Sequence, residues 1–254
     1  MFSLGRAYEQ TGEYEKSLDL YESANSIDWQ YLPLYNRPLM VKIVDQIKQE
    51  YVAELEDSPD SGDLSQVFIC GNFRSGSTLL EQMLAGHSSF TPGGERDFFR
   101  KIAIDPRLGF PSTQSFDLAL REQIAKQYNQ ETLDFFGPGV RVTDKRPDNL
   151  LLVGLIKRVF PNVKFIITQR NTLDVAWSIF STRFGPDLPY ATKMEDILQK
   201  SNLMITAIDK HYYEYLYLFP KDTKVIIHDP TECKPNKKNP NPLVQTTDKN
   251  ETIL

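Results

Sequence analysis

Cysteine is nearly absent from this sequence: Cys70 and Cys233 are the only two. One lies in an apolar run and the other in a polar tail, which excludes a disulfide framework. Histidine is as scarce. His87, His211 and His228 are scattered without metal-ligand spacing, so no zinc centre is expected. No apolar run approaches the length of a transmembrane helix, and Met1 opens no basic-then-apolar signal sequence, so no membrane role is expected. The simplest location is cytoplasmic. No Lys/Arg-rich block stands out and the net charge is −5, which argues against a nucleic-acid partner.

What is present is ordinary globular composition: 254 residues, 40% hydrophobic and 25% charged. That length suits one catalytic domain plus a small module. Charge is uneven along it. Residues 1–60 hold 5 Lys/Arg against 12 Asp/Glu, a balance of −7, while the rest is nearly neutral.

The acidic front is similar to one tetratricopeptide repeat. Leu4-Gly5, Tyr8, Gly12, Tyr14, Ser17, Tyr21 and Ala24 fall at the small and aromatic positions through which two helices nest. Such a unit cannot bury its apolar face alone, so it packs on a neighbour or on further repeats, and it offers a surface for a protein partner. Leu39, Ile43, Ile47 and Tyr51 then mark a helix over Asn36–Leu55. The run Asp57-Ser58-Pro59-Asp60-Ser61-Gly62-Asp63 reads as a linker. These signals predict a helical module over residues 1–56.

Beyond it, strands and helices alternate. Strands are expected at 67–70, 140–142, 163–168 and 224–228. Helices are expected at 78–86, near 115–128, from Asn149 to Phe160, after Asn171 or Thr172, and from about Met194 to Phe219. That alternation predicts an α/β domain over 64–228: a P-loop-like parallel sheet flanked by helices. Residues 229–254 are polar and turn-rich, and are expected to be extended or disordered.

The densest signal is VFICGNFRSGSTLLEQMLAGH, Val67 to His87. It reads as a buried strand, a glycine-rich turn and a helix whose apolar face carries Leu80, Met83, Leu84 and His87. A glycine turn feeding a helix N-terminus suits an anion, because unpaired N–H groups and the helix dipole both face it. An ordinary strand–turn–helix with a glycine-rich connection is the plainer alternative. Gly71 and Gly76 have Walker A spacing, yet Ser77 stands where that loop has its lysine, and Arg74 supplies the charge instead. The missing lysine weakens a kinase or NTPase reading.

In open parallel sheets ligands bind beyond the carboxyl ends of the strands. Two further segments fall there: Thr143-Asp144-Lys145-Arg146-Pro147-Asp148-Asn149 and Gln169-Arg170-Asn171-Thr172-Leu173-Asp174, with Ser178 further along. Together with RSGSTLL, the stretch DKRPDNLLLVGLIKRVFPNVKFIITQRNTLDVAWSIF resembles the tetratricopeptide-linked sulfotransferases, relatives of the protein-tyrosine sulfotransferases. The likeness runs with gaps from Gly71 to Phe184.

The resemblance implies the co-substrate 3′-phosphoadenosine 5′-phosphosulfate, no metal, and a hydroxyl-bearing acceptor on a peptide, sugar or small molecule. It implies that Arg74, Ser75, Gly76, Ser77 and Thr78 cradle the 5′-phosphosulfate. Arg170 and Ser178 would hold the 3′-phosphate, Lys145 would sit beside the bridging oxygen, and Glu95 in Thr91-Pro92-Gly93-Gly94-Glu95 would be the base. Read without the family, Lys145 is a surface charge paired with Asp144 or Asp148, and Glu95 is a turn glutamate paired with Arg96. Arg170 would be a solvent-facing helix start and Ser178 a small helix residue. Phe73 replaces a loop proline of the family pattern, Asn171-Thr172 lacks the proline after the arginine, and His228-Asp229-Pro230-Thr231-Glu232 replaces a Tyr-Glu pair. That last departure motivates a rival expectation, a catalytically impaired binding protein working through its helical module.

Overall fold

The computed structural model describes residues 1–50, 66–106, 108–111 and 116–205. The linker, the part beyond residue 205 of the helix expected to Phe219, the strand expected at 224–228 and the polar tail lie outside them.

In chain order the elements are α1 (Phe2–Gln10), α2 (Tyr14–Trp29), α3 (Arg37–Glu50), β1 (Val67–Gly71), α4 (Ser77–Ala85), β2 (Phe90–Pro92), α5 (Phe98–Ala103), α6 (Leu118–Phe136), β3 (Arg141–Asp144), α7 (Val153–Val159), β4 (Lys164–Thr168) and α8 (Thr172–Phe180). A 3₁₀ helix, Pro147–Leu152, runs into α7, and another spans Pro189–Thr192. Residues 194–205 form α9.

The four described strands lie in the order β2-β3-β1-β4, and every pairing is parallel. Val67 at the start of β1 pairs with Thr143 on one side and Lys164 on the other. All four strands therefore end on the same edge, the edge where the sequence puts its charged segments. β1 is buried throughout, and its Phe68 and Cys70 enter a core shared with α5, α6 and α7. The centre of that core is aromatic. Phe98 and Tyr128 meet edge to face at 5.1 Å, and Phe68 lies 5.6 Å from Phe99. Burial pushes the Cys70 thiol up, far from a reactive thiolate.

Three local outcomes differ from the sequence expectation. Asn149 does not begin an α-helix: it lies inside the 3₁₀ helix, fully buried, and donates to Asp144 Oδ1 at 3.3 Å. The burial stripe of α3 turns toward Val44 and Ile47 and leaves Leu39 exposed. In α4 the buried residues are Ser77 and Glu81, not the apolar stripe. The short β2 and α5 had no clear sequence signal.

The first two helices form a hairpin. A Cβ on Gly5 would sit 2.7 Å from Tyr21 Cε1, so glycine lets the ring lie against α1. The hairpin packs on α8. Trp177 Nε1 donates to Glu9 Oε1 at 2.8 Å, and the Trp177 and Tyr21 rings meet edge to face at 5.7 Å. Asn25 Nδ2 donates to the Phe180 carbonyl at 2.8 Å. Tyr21 thus shares one apolar cluster with Val175, Ile179 and Ile197. The front helices and the α/β body are joined by a common core, and the helix they grip is the one carrying Ser178.

Candidate active site

β1 ends at Gly71, where a Cβ would lie 2.2 Å from the Thr168 carbonyl, so glycine is what lets β4 approach. The chain then turns through Asn72, Phe73, Arg74 and Ser75. Arg74 holds a left-handed φ of 68° and Gly76 one of 102°. A left-handed φ is uncommon for a residue with a Cβ, and alternating conformations of this kind turn successive N–H groups into one concavity. Gly76 is the N-cap of α4, and no side chain caps that helix. Its first-turn N–H groups have no side-chain acceptor, an arrangement that suits an anion.

Ser75 is buried, and its hydroxyl is committed to the loop. It donates to the Asn72 carbonyl at 2.6 Å and lies 2.7 Å from Thr168 Oγ1. Its N–H also points inward, to the Asn72 carbonyl. Ser75 therefore shapes the cradle and ties it to β4. Ser77 is buried, while Thr78 is exposed at the mouth.

Arg74 Nε donates to Ser178 Oγ at 2.9 Å, which brings the loop arginine to the middle of α8. Asn171 caps α8, its Oδ1 accepting from the Leu173 N–H at 2.9 Å. Arg170 lies just before that cap. One of its terminal nitrogens is 3.5 Å from Asp174 Oδ2, and its Nε is buried with no hydrogen-bond partner among the described residues. A guanidinium with an unmet donor beside a helix start suits a second anion.

At the end of β3, Lys145 and Asp144 point to different partners. Lys145 Nζ donates to Glu95 Oε1 at 2.8 Å; the lysine side chain is 7% exposed and the glutamate 45%. Neither Asp144 nor Arg96 takes the role that the family-free reading gave it. Asp144 is fully buried, accepts from Tyr128 Oη at 3.3 Å, and has its carboxyl pushed up to about 7 by burial, against the pull of Arg96. Arg96 lies over the Tyr128 ring at 4.3 Å and donates to Thr132. Arg146, also buried, bridges Asp97 and Asp148, each at 2.7 Å.

The residues 66–228 match the model of the Sulfotransferase family. The chain belongs to that family. An uncharacterized protein of Aquifex aeolicus (strain VF5) is 29% identical over 202 residues, 72% of this chain and 26% of that protein. A protein-tyrosine sulfotransferase of Drosophila melanogaster is 26% identical over 185 residues, 63% of this chain and 36% of that protein. The chain spans well under half the length of either relative. Among solved structures, a sulfotransferase from Alicyclobacillus acidocaldarius aligns with a TM-score of 0.41 at 19% identity, over 64% of this chain and 72% of that one. The sulfotransferase domain from the curacin biosynthetic pathway aligns with a TM-score of 0.41 at 24% identity, over 64% and 66%.

In this sulfotransferase-family chain four of the sequence-derived residues form two bonded pairs, Lys145 with Glu95 and Arg74 with Ser178. Arg170, just before the cap of α8, reaches Asp174 in the first turn of that helix. No group of His, Cys, Asp and Glu among the described residues is placed to hold a metal, and no described helix is long and apolar enough to cross a membrane. Sequence reasoning missed Glu81, Thr143 and Thr168, which support the site from behind. The signal for Glu81 was an acid four residues after Ser77, on one face of a helix that the apolar pattern pointed elsewhere.

Proposed function

We propose that the chain moves a sulfuryl group from 3′-phosphoadenosine 5′-phosphosulfate to a hydroxyl or phenol. The observation that carries this reading is the Lys145–Glu95 pair on the sheet edge of a Sulfotransferase-family chain. The donor set fits a ligand with two separated anions: an uncapped helix start, Arg74 beside Ser178, and a buried unmet donor on Arg170. The bound co-substrate supplies the activated sulfuryl group; the protein positions it and manages charge and a proton.

In this reading the loop from Arg74 to Thr78 takes the 5′ end, with Ser75 acting as the loop's internal tie. Arg170 and Ser178 take the 3′-phosphate. Glu95 removes the acceptor hydroxyl's proton as its oxygen bonds to sulfur. Lys145 and Arg74 stabilise the bridging oxygen as its bond to sulfur breaks and that oxygen keeps the electron pair. The leaving product is adenosine 3′,5′-bisphosphate, and atoms and charge balance without redox or metal chemistry. Lys145 must exchange part of its Glu95 contact for the bridging oxygen when the donor enters, which frees the carboxylate for the acceptor. The hairpin of α1 and α2 is read as a tetratricopeptide-type unit at the front of a module, able to offer a surface to a protein partner.

The test is turnover of labelled donor, followed as release of adenosine 3′,5′-bisphosphate. Glu95→Gln is expected to slow it by about 100-fold or more, the usual scale for loss of a general base. Turnover that is indifferent to Glu95→Gln sinks the assignment.

A further inference from the structure

Glu81 is a carboxylate in the interior, 3% exposed, on a helix that buries little else. Burying an acid is costly unless hydrogen bonds answer it. Here a single oxygen takes two. Glu81 Oε1 accepts from the Gly94 N–H at 3.0 Å and from Thr143 Oγ1 at 2.8 Å. We propose that Glu81 is the positioning residue for Glu95: it fixes the Gly93-Gly94-Glu95 turn so that the base meets Lys145. The inference rests on the sulfotransferase reading above.

The turn is held from every side. Gly94 has a left-handed φ of 67°, and its N–H is taken by Glu81. Its carbonyl accepts from the Lys145 N–H at 2.8 Å. Both polar groups of Gly94 are therefore engaged immediately before Glu95 leaves the backbone, and the second partner is the residue whose ammonium Glu95 accepts. Gly93 adds a close contact: a Cβ there would lie 2.2 Å from the Thr143 carbonyl. The Gly93 N–H also reaches Thr143 Oγ1 at 3.4 Å, so Thr143 is tied to the turn and to Glu81 together.

Glu81 also links two functions in sequence. It sits one turn beyond Ser77 on α4, the helix whose uncapped start follows the Arg74 loop. A buried leucine at this position would pack but would leave the Gly94 N–H and the Thr143 hydroxyl without their acceptor.

The experiment compares the wild type with Glu81→Gln, which keeps an acceptor oxygen, and Glu81→Met, which keeps volume only. Three quantities are read: amide hydrogen exchange at Gly94, affinity for adenosine 3′,5′-bisphosphate, and the rate of sulfuryl transfer to 4-nitrophenol. Glu81→Met is expected to speed Gly94 exchange at least tenfold and to lower the transfer rate by about 10- to 100-fold, the scale of a small misplacement. Nucleotide affinity should stay within about threefold, and Glu81→Gln should restore exchange and rate to within about threefold of wild type. Unchanged Gly94 exchange in Glu81→Met overturns the inference whatever the wild type binds. Lost protection with an unchanged transfer rate, or equal losses of rate and nucleotide affinity, overturns it as well. If Glu81→Met fails to fold, Glu81→Ala removes the same acceptor, and undisturbed Gly94 exchange there overturns it. A wild type that binds no adenosine 3′,5′-bisphosphate instead overturns the function, leaving the exchange comparison to decide the role of Glu81.

Discussion

Lys145 Nζ donates to Glu95 Oε1 at 2.8 Å, joining a buried cation at the end of β3 to a half-exposed carboxylate after β2. The two residues are 50 positions apart in sequence. Their meeting depends on β2 and β3 being parallel neighbours, with Pro92 level with Thr143.

This pair allows stability to be separated from chemistry. Glu95→Leu leaves the Lys145 ammonium buried beside an apolar side chain, and should cost about 1–3 kcal/mol in urea unfolding. Glu95→Gln keeps an oxygen for that ammonium and should cost under about 1 kcal/mol while still losing turnover. Equal destabilisation by the two variants would show that the contact contributes packing alone.

Stability should fall as pH rises through the range set by Asp144. Burial raises its carboxyl from the usual 3.8 to about 7. Between those values the folded protein binds a proton that the unfolded chain has released, so stability declines from about pH 4 to pH 7 and is fully lost from this source above it. Asp144→Asn removes that contribution. The gap between wild type and variant should therefore change by a few kcal/mol between pH 5 and pH 8, in the direction that favours the variant at high pH. Urea denaturation at both pH values measures it.

Lys200 behaves in the opposite sense. Burial lowers its ammonium to about 8, with Asp148 pulling the other way, and its Nζ lies 3.2 Å from Met40 Sδ. Above pH 8 the folded protein has shed a proton that the unfolded chain keeps, so its contribution to stability rises toward pH 10. Lys200→Met should raise stability at pH 7 by about 1–3 kcal/mol and flatten the alkaline rise. A destabilised Lys200→Met would mean that the ammonium has stronger partners than the Met40 contact.

The parallel α/β body was legible because β1 and β4 are continuous apolar runs bounded by turn signals, and because Asn171 is a strong helix cap. The turn between β1 and α4 was legible because Gly71 and Gly76 stand between an apolar run and a helical pattern. The supports behind it were not. Glu81, Thr143 and Thr168 act across the sheet, between residues 62 and 93 positions apart, and pattern reading sees only neighbours along one element. Ser75 was legible as a loop residue, but not the inward direction of its hydroxyl, which Thr168 decides. The short β2 escaped because three residues are too few to show a period.

A donor gripped at its two anionic ends is tested by calorimetric titration with adenosine 3′,5′-bisphosphate. Metal-independent binding is expected, weakened at least tenfold for adenosine 5′-monophosphate and to a similar degree by Arg170→Ala, since a charge-assisted bond to phosphate carries about 1.5–3 kcal/mol. No binding, equal affinity for the two nucleotides, or tight binding confined to magnesium–ATP would contradict it.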